Sequence, residues 1–584
     1  MRYIITGFFI TVCLCISVKA QVIEAHIDDS GKVYTTELPH LQFSKNSLDK
    51  QAEPWPKSFV PDLSFKNFRG VCLEDINNDG KDEIITGIND TIYAFKGNGD
   101  LLWHRHIEGT AIYPPSSADI DGDGKIEIFL NTGGHPNNGR VYGFDHEGNV
   151  LDGWPLNFSN HWMICAPALA DIDGDGNMEI LTSERNDTDL PGKLHVLKAD
   201  GTPFSDNWPH EIEGVPAVTP SAGTFGSIGN KAGNADIITC STTGLYAFNA
   251  DGSQKSGFPV ENDSIKYSYQ SPLLVHAQSP NKLFSSADDF ITGANHGNKP
   301  GFYCMDTSGN MLEGYPVLTA DSNWTYGPPT CFGNNCDMDF LLIGQPGATG
   351  EGNYPAIYYD TGNQNGFFER TDGLEGFITV MKCTNQNGYY VFTGSNMITQ
   401  TGLGFIHAYH MVNTGTDIQF TELAGFPKMV PGFTFINGIN LGDVDSDPYP
   451  ELVVLSYETS GSEDSTYINV FDFDEQEYDR NKTYPTYKGD NSRAGERYAF
   501  ECLSNNEHAV NTLSVYPNPV EDMLFLEIPE TAQVRIYNIT GHCVMQTNLT
   551  GNHQIPVSGL TPGIYIIKAE SKNGKKHYGK FTKL

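Results

Sequence analysis

The chain has 584 residues and carries 72 acidic against 36 basic side chains, a formal charge of −36. That imbalance argues against nucleic acid as a partner, because a polyanion is held through clustered Lys and Arg. Two of the 11 cysteines, Cys13 and Cys15, fall in the first twenty residues; the rest are scattered without a CxxC pair, which indicates neither zinc nor a disulfide framework, although Cys331 and Cys336 could bridge.

Residues 1–20 place Arg2 before the apolar run Tyr3–Val18 and end in Val18-Lys19-Ala20 ahead of Gln21, the pattern of a cleaved signal peptide. Cys15 follows Val12-Cys13-Leu14, which fits a lipidation box poorly. No later apolar run is long enough to cross a bilayer, so no transmembrane span is expected.

The next informative stretch is Asp119-Ile120-Asp121-Gly122-Asp123-Gly124-Lys125-Ile126-Glu127, in which acids recur with a period of two between apolar Ala118 and Ile128. Asp119, Asp121 and Asp123 can turn their side chains toward one point. Gly124 permits the sharp turn, the Lys125 carbonyl can join, and Glu127 closes the ring. Hard oxygen donors in this number suit Ca²⁺ in a structural role. An EF-hand would place its Glu at position twelve between two helices, whereas here Glu stands at position nine and the flanks read as short strands. The spacing recurs in Asp75, Asn77, Asp79, Lys81 and Glu83; in Asp171, Asp173, Asp175, Asn177 and Glu179; and in Asp443, Asp445, Asp447, Tyr449 and Glu451, where Pro448 replaces the turn glycine. Three to four structural calcium ions are expected.

Each loop is followed by an apolar strand, a second strand such as Thr91-Ile92-Tyr93-Ala94-Phe95, a glycine turn, and an aromatic before proline. The marks are Trp103, Trp154-Pro155, Trp208-Pro209, Phe258-Pro259, Tyr315-Pro316, Phe367, Phe426-Pro427 and Tyr484-Pro485. Their spacing, about 50 to 59 residues, accommodates four short strands with loops. Ala166-Pro167-Ala168-Leu169-Ala170-Asp171-Ile172-Asp173-Gly174-Asp175-Gly176 and its weaker copies resemble the FG-GAP or VCBS type of calcium-binding β-propeller, related to the integrin α-chain head. The resemblance implies an all-β ring of seven or eight blades, eight preferred, over residues 61–500, with residues 21–60 available to close it. The middle repeats depart from it, since Ser227-Ile228-Gly229-Asn230 and Phe332-Gly333-Asn334-Asn335 lack the acids.

Residues 501–512 read as a polar linker. Beyond it, Leu513–Val520, Val534–Gly541 and Leu560–Lys568 alternate apolar and polar residues, as in a small β-sandwich. These three segments resemble the type A C-terminal sorting domain of type IX secretion in Bacteroidetes, covering 513–584. That resemblance implies the type IX machinery as a partner, export to the surface or the medium, and possible anchoring to lipopolysaccharide.

No nucleophile elbow, HExxH or phosphate-binding glycine loop is present. Aligning the repeats on Pro115, Pro167, Pro220, Pro272 and Pro329 puts Trp162, Tyr267 and Trp324 five residues ahead, and Gly438 adds Phe433. These four could form a platform for stacking sugar or peptide at one mouth of the channel, with Asn160, His161, Asp321 and Asn323 nearby; equally, they could seal blade to blade. Lys488-Gly489-Asp490 resembles an integrin-recognition tripeptide, but its setting reads as the turn closing the ring. The expectation is a secreted or surface-held, calcium-stabilised, adhesin-like propeller that binds extracellular carbohydrate or a surface protein. The alternatives are a polysaccharide lyase or hydrolase on the same scaffold, with His161 the one candidate side chain, and a surface scaffold.

Overall fold

Apolar residues alternating with turn glycines give short strands that bury both faces only when stacked, and the chain solves this by repetition. The computed structural model describes residues 20–27, 33–43, 49–60, 69–133, 138–159, 161–186, 191–216, 218–224, 235–262, 264–267, 271–276, 289–297, 300–319, 327–334, 337–344, 356–361, 365–370, 372–458, 465–497, 511–512, 515–526, 532–538, 543–549, 553–571 and 576–584. Almost all of the expected signal peptide, most of the expected 501–512 linker and Cys336 lie outside these residues. The chain divides into two compact units, Met1–Cys502 and Leu503–Leu584.

In the first unit the described strands fall into seven hydrogen-bonded sheets, one of which spans two repeats through the pairing of Thr110 with Gly133 and of Ala111 with Thr132; the repeats they contain are numbered here as blades 1 to 8. Blade 2 is typical: Ser116–Ala118 innermost, then Glu127–Gly133, Asn138–Phe144 and Leu156–Ser159 outermost. Blade 8 is composite. Asn440–Gly442, Glu451–Tyr457 and Thr466–Asp472 come from the end of the repeat, and the outermost strand, Lys57–Phe59, comes from the N-terminus, with Lys57 opposite Ile468 and Phe59 opposite Thr466. Pairing first and last segments in one sheet closes the ring without leaving a free edge. A further N-terminal hairpin, Ala20–Ile27 with Val33–Phe43, adds to Met397–Thr399 beside blade 7.

Apolar clusters fill the seams between neighbouring blades. The closing seam is built like the others: Trp55, Ile84, Ile88 and Phe95 pack with Val453, Leu455, Ile468 and Val470. The tryptophan marks are clasps across these seams, whereas Phe367 is 55% exposed. Trp103 Nε1 donates to His146 O at 3.0 Å, Trp154 to Ala199 O at 2.9 Å and Trp208 to Ala250 O at 3.2 Å, each acceptor lying in the glycine turn of the next blade. Tyr315 Oη crosses its seam differently, donating to the side-chain carboxylate of Asp360 at the end of the strand Ala356–Asp360. Before Trp154 and Phe258 the glycine is required by proximity, whereas a Cβ on Gly314 or Gly425 would meet no atom of the described residues within 4 Å, and these two are favoured by their positive φ alone. A Cβ on Gly153, at φ +90°, would stand 2.3 Å from Asp200 O, and one on Gly257, at φ +92°, 2.1 Å from Ser308 O.

Two sequence expectations need correction here. The clasp at the closing seam is Trp55, whose Nε1 donates to Gly97 O at 2.8 Å, and not Tyr484-Pro485. Tyr484 is buried and belongs to a segment that pairs with the innermost strand of blade 7, Tyr484 opposite Val380. Cys331 is a free thiol in the apolar core beside Leu341 and Ile343, not half of a disulfide. In the second unit the described residues form two sheets, of five strands and three strands, around Leu524, Val534, Ile536, Ile567 and Phe581.

Candidate metal centres and the channel linkers

The four acidic loops sit at equivalent places, between the innermost and second strands of blades 1, 2, 3 and 8. In blade 2 the first acid builds the loop: Asp119 Oδ1 accepts the N–H of Gly122 (2.8 Å) and Asp123 (3.1 Å), and Oδ2 that of Gly124 (3.0 Å). Gly122 and Gly124 stand at φ +75° and +86°, which glycine adopts without strain. The last acid ties the loop to the sheet, Glu127 Oε2 accepting from Ile120 N at 3.1 Å. The same bond recurs from Ile76 to Glu83 (3.2 Å), Ile172 to Glu179 (3.0 Å) and Val444 to Glu451 (2.7 Å).

This folding brings like charges together. One carboxylate oxygen from each of Asp119, Asp121 and Glu127 lies within 4.8 Å of the others, and the same holds for Asp171, Asp173 and Glu179 and for Asp443, Asp445 and Glu451. Burial, reinforced by the adjacent aspartates, pushes the carboxyls of Glu127 and Glu179 up to about 7 and that of Glu451 to about 9. Carboxylates crowded at such cost to their ionisation fit a hard divalent cation, which would restore their charged forms. Asp119, Asp121, Asp123, Glu127 and the Lys125 carbonyl are the residues that would hold it in blade 2, with their counterparts in blades 3 and 8.

Blade 8 shows how the loop tolerates Pro448. Gly80, Gly124 and Gly176 donate their N–H to the first aspartate, and proline has none to give. The loop keeps the bond two residues earlier: Ser446, at φ +68°, donates to Asp443 Oδ1 at 2.7 Å as Gly122 and Gly174 do to their first aspartates, and the three-carboxylate cluster still forms. Blade 1 differs more. Asn77 stands where the second Asp would be and donates to Glu83 Oε1 at 2.5 Å, while Lys81 extends to Asp445 O at 2.8 Å. Asp75 and Asp79 keep the loop's turn bonds. The loops of blades 1 and 8 are thus bonded to each other, also through Asp82 N to Asp443 O at 2.7 Å. Loops 2 and 3 are joined by Met178 N to Ile120 O at 2.8 Å.

Sequence reasoning missed what replaces the acids in blades 4 and 5. Asp236 and Asp289 open the second strands there, where Glu179 does in blade 3. Each faces a side-chain cation or its equivalent: Lys255 Nζ lies 2.5 Å from Asp236, and His276 Nδ1 3.1 Å from Asp289. The signal was present as Asp at the strand start, but the partner comes from elsewhere in the blade.

Two of the four expected platform aromatics are buried in the core. Tyr267 is fully buried, edge-on to Tyr303 at 5.1 Å, and Phe433 is fully buried between Phe435 and Tyr457. Neither offers a ring face to a ligand, because the linkers are drawn into the inter-blade seams. Trp162 is half-buried with the Arg185 guanidinium 5.7 Å from its ring centroid. Trp324, Asn160, Asp321 and Asn323 lie outside the described residues, as does the His161 side chain. Lys488 is wholly buried, which removes Lys488-Gly489-Asp490 from any recognition surface.

Residues 119–182 match the family described as FG-GAP-like repeat, and residues 514–583 the secretion system C-terminal sorting domain. No curated protein matches the chain by sequence. Similar solved structures include the Vibrio cholerae biofilm matrix protein Bap1, 14% identical over 92% of this chain and 89% of that one, TM-score 0.32. The BP39L lectin from Burkholderia pseudomallei is 10% identical over 62% of this chain and 100% of that one, TM-score 0.40. The Dos1 propeller is 12% identical over 70% and 94%, TM-score 0.35. No helix among the described residues is long and apolar enough to cross a membrane. The chain carries an FG-GAP-type propeller and a C-terminal sorting domain that directs it by type IX secretion to the cell surface or extracellular space.

Proposed function

We propose that this is a calcium-stabilised binding propeller that engages carbohydrate or a surface protein outside the cell. The observation that carries the calcium reading is the convergence of Asp119, Asp121 and Glu127, and their counterparts in blades 3 and 8, to within 4.8 Å. Blades 1, 2, 3 and 8 are consecutive around the ring, so ions there would brace the arc that includes the closing seam. Export by the type IX route supports a ligand outside the cell, and the sorting domain supports anchoring to lipopolysaccharide or release after cleavage.

Catalysis is the less supported reading. The described histidines paired with buried or half-buried carboxylates, His195, His276 and His407, are 8%, 2% and 3% exposed, out of reach of a polymer. A glycan and polysaccharide array, probed with the mature chain in calcium and read both for retained protein and for released reducing or unsaturated sugar, tests the choice. Retention without product is expected. Released sugar would make the protein an enzyme and overturn the binding reading.

A further inference from the structure

The innermost strands of a propeller turn one backbone edge toward the axis, and those N–H groups need acceptors. Here the chain supplies them. Ser117 N donates to Asn491 O at 3.0 Å, Leu169 N to Ser492 O at 2.8 Å, Ala222 N to Ala494 O at 2.9 Å, Leu274 N to Gly495 O at 2.9 Å and Leu441 N to Pro485 O at 2.9 Å. All five donors hold the same place, second residue of the innermost strand, in blades 2, 3, 4, 5 and 8. Tyr484 pairs with Val380, the second residue in blade 7. One short segment, 483–497, therefore meets six blades in turn.

Its side chains are anchored as firmly. Lys488 Nζ donates to Pro220 O at 2.5 Å and to Ser221 Oγ at 2.8 Å, Arg493 Nη2 to Val71 O at 3.1 Å, and Asn491 Nδ2 to Glu74 Oε2 at 2.7 Å. Tyr487 Oη is 2.5 Å from Ser271 Oγ, and Glu496 Oε1 2.8 Å from His276 Nε2. Tyr487, Lys488 and Arg493 are at most 1% exposed.

We propose that the propeller axis is a peptide-binding site whose occupant is the chain's own segment 483–497, and that its occupancy locks the ring. The site selects an irregular strand with successive outward carbonyls and a Tyr-Lys pair followed by Arg five residues beyond Lys. Because the segment follows every blade in sequence, the lock closes last. The channel is not a passage for substrate.

The test uses the full chain with a specific protease sequence inserted between the exposed Asp474 and Glu475. After cleavage the two pieces should co-elute on gel filtration, and the combination Tyr487→Ala, Lys488→Met and Arg493→Ala should release the C-terminal piece. Immediate release from the otherwise native sequence would overturn the proposal, and so would retention of the triple variant. Hydrogen exchange on the uncut chain gives a second reading that needs no variant to fold. The amides of Ser117, Leu169, Ala222, Leu274 and Leu441 should be as protected as mid-strand amides, and rapid exchange at these five alone would contradict an occupied axis.

Discussion

Replacing Trp154 separates the two contributions of a seam clasp. Its indole is 7% exposed, lies edge-on to Phe129 with centroids 5.2 Å apart, and donates to Ala199 O at 2.9 Å. Trp154→Phe keeps an aromatic ring but leaves the Ala199 carbonyl without its donor, which costs ~1–3 kcal/mol. Trp154→Ala removes the ring as well and opens a cavity between blades 2 and 3, raising the loss to ~3–5 kcal/mol. Urea unfolding of the mature chain followed by circular dichroism, with an unchanged slope, gives both values. Trp103→Phe should cost about as much as Trp154→Phe, since its bond to His146 O at 3.0 Å is equivalent. A Trp154→Ala variant within ~0.5 kcal/mol of the parent, as for an ordinary surface substitution, would refute the clasp. A Phe variant as costly as the Ala variant would assign the whole effect to the N–H.

Other consequences follow from named contacts. Gly153→Ala should destabilise by ~1–3 kcal/mol, because the φ of +90° is strained for alanine and the new Cβ meets Asp200 O, whereas Gly425→Ala, also at positive φ but with no atom within 4 Å, should cost less; equal losses in urea titrations would contradict the contact term. The thiols of Cys72, Cys165, Cys240, Cys304, Cys331 and Cys383 are buried, and burial raises each above its ordinary range, so a thiol reagent should label them only after unfolding; rapid labelling of the native chain at these positions would be inconsistent with the core. Burial alone would lower the His276 pKa, but its bonds to Asp289 and Glu496 raise it to about 9. The folded value lies above the unfolded one, about 6.5, so the stabilisation is complete below about 6.5 and fades as pH rises through about 9. His276→Gln should flatten that part of the stability profile, and an unchanged profile would show that the pair does not titrate there.

The repeat was readable because its marks have local causes. Glycines at positive φ in the acidic loops and the aromatic-proline clasps are short-range requirements, so Asp119–Glu127 and Trp154-Pro155 announce their own roles. Trp55-Pro56 carries the same mark but precedes the first counted repeat, and only ring closure places it in blade 8. The segment 483–497 has no periodic pattern, since most of its partners, such as Ser117, Leu169, Ala222 and Leu274, lie more than 200 residues away and are met by successive backbone carbonyls. Tyr267 and Phe433 were misplaced for a related reason: linear spacing puts a side chain on one side of a linker but does not say whether that side faces the channel or the seam. The cations opposite Asp236 and Asp289 were equally hidden, because Lys255 and His276 lie outside the loop motif.

The most direct test of the central claim is thermal unfolding of the mature chain in calcium and in excess chelator, with Glu127→Gln and Glu451→Gln alongside. Binding to the folded state alone stabilises by about 2.7 kcal/mol per site at a hundredfold excess over Kd. Chelation should therefore lower the melting temperature, and each variant should shrink the calcium-dependent shift without abolishing it. A melting temperature identical with and without calcium would contradict metal-braced blades.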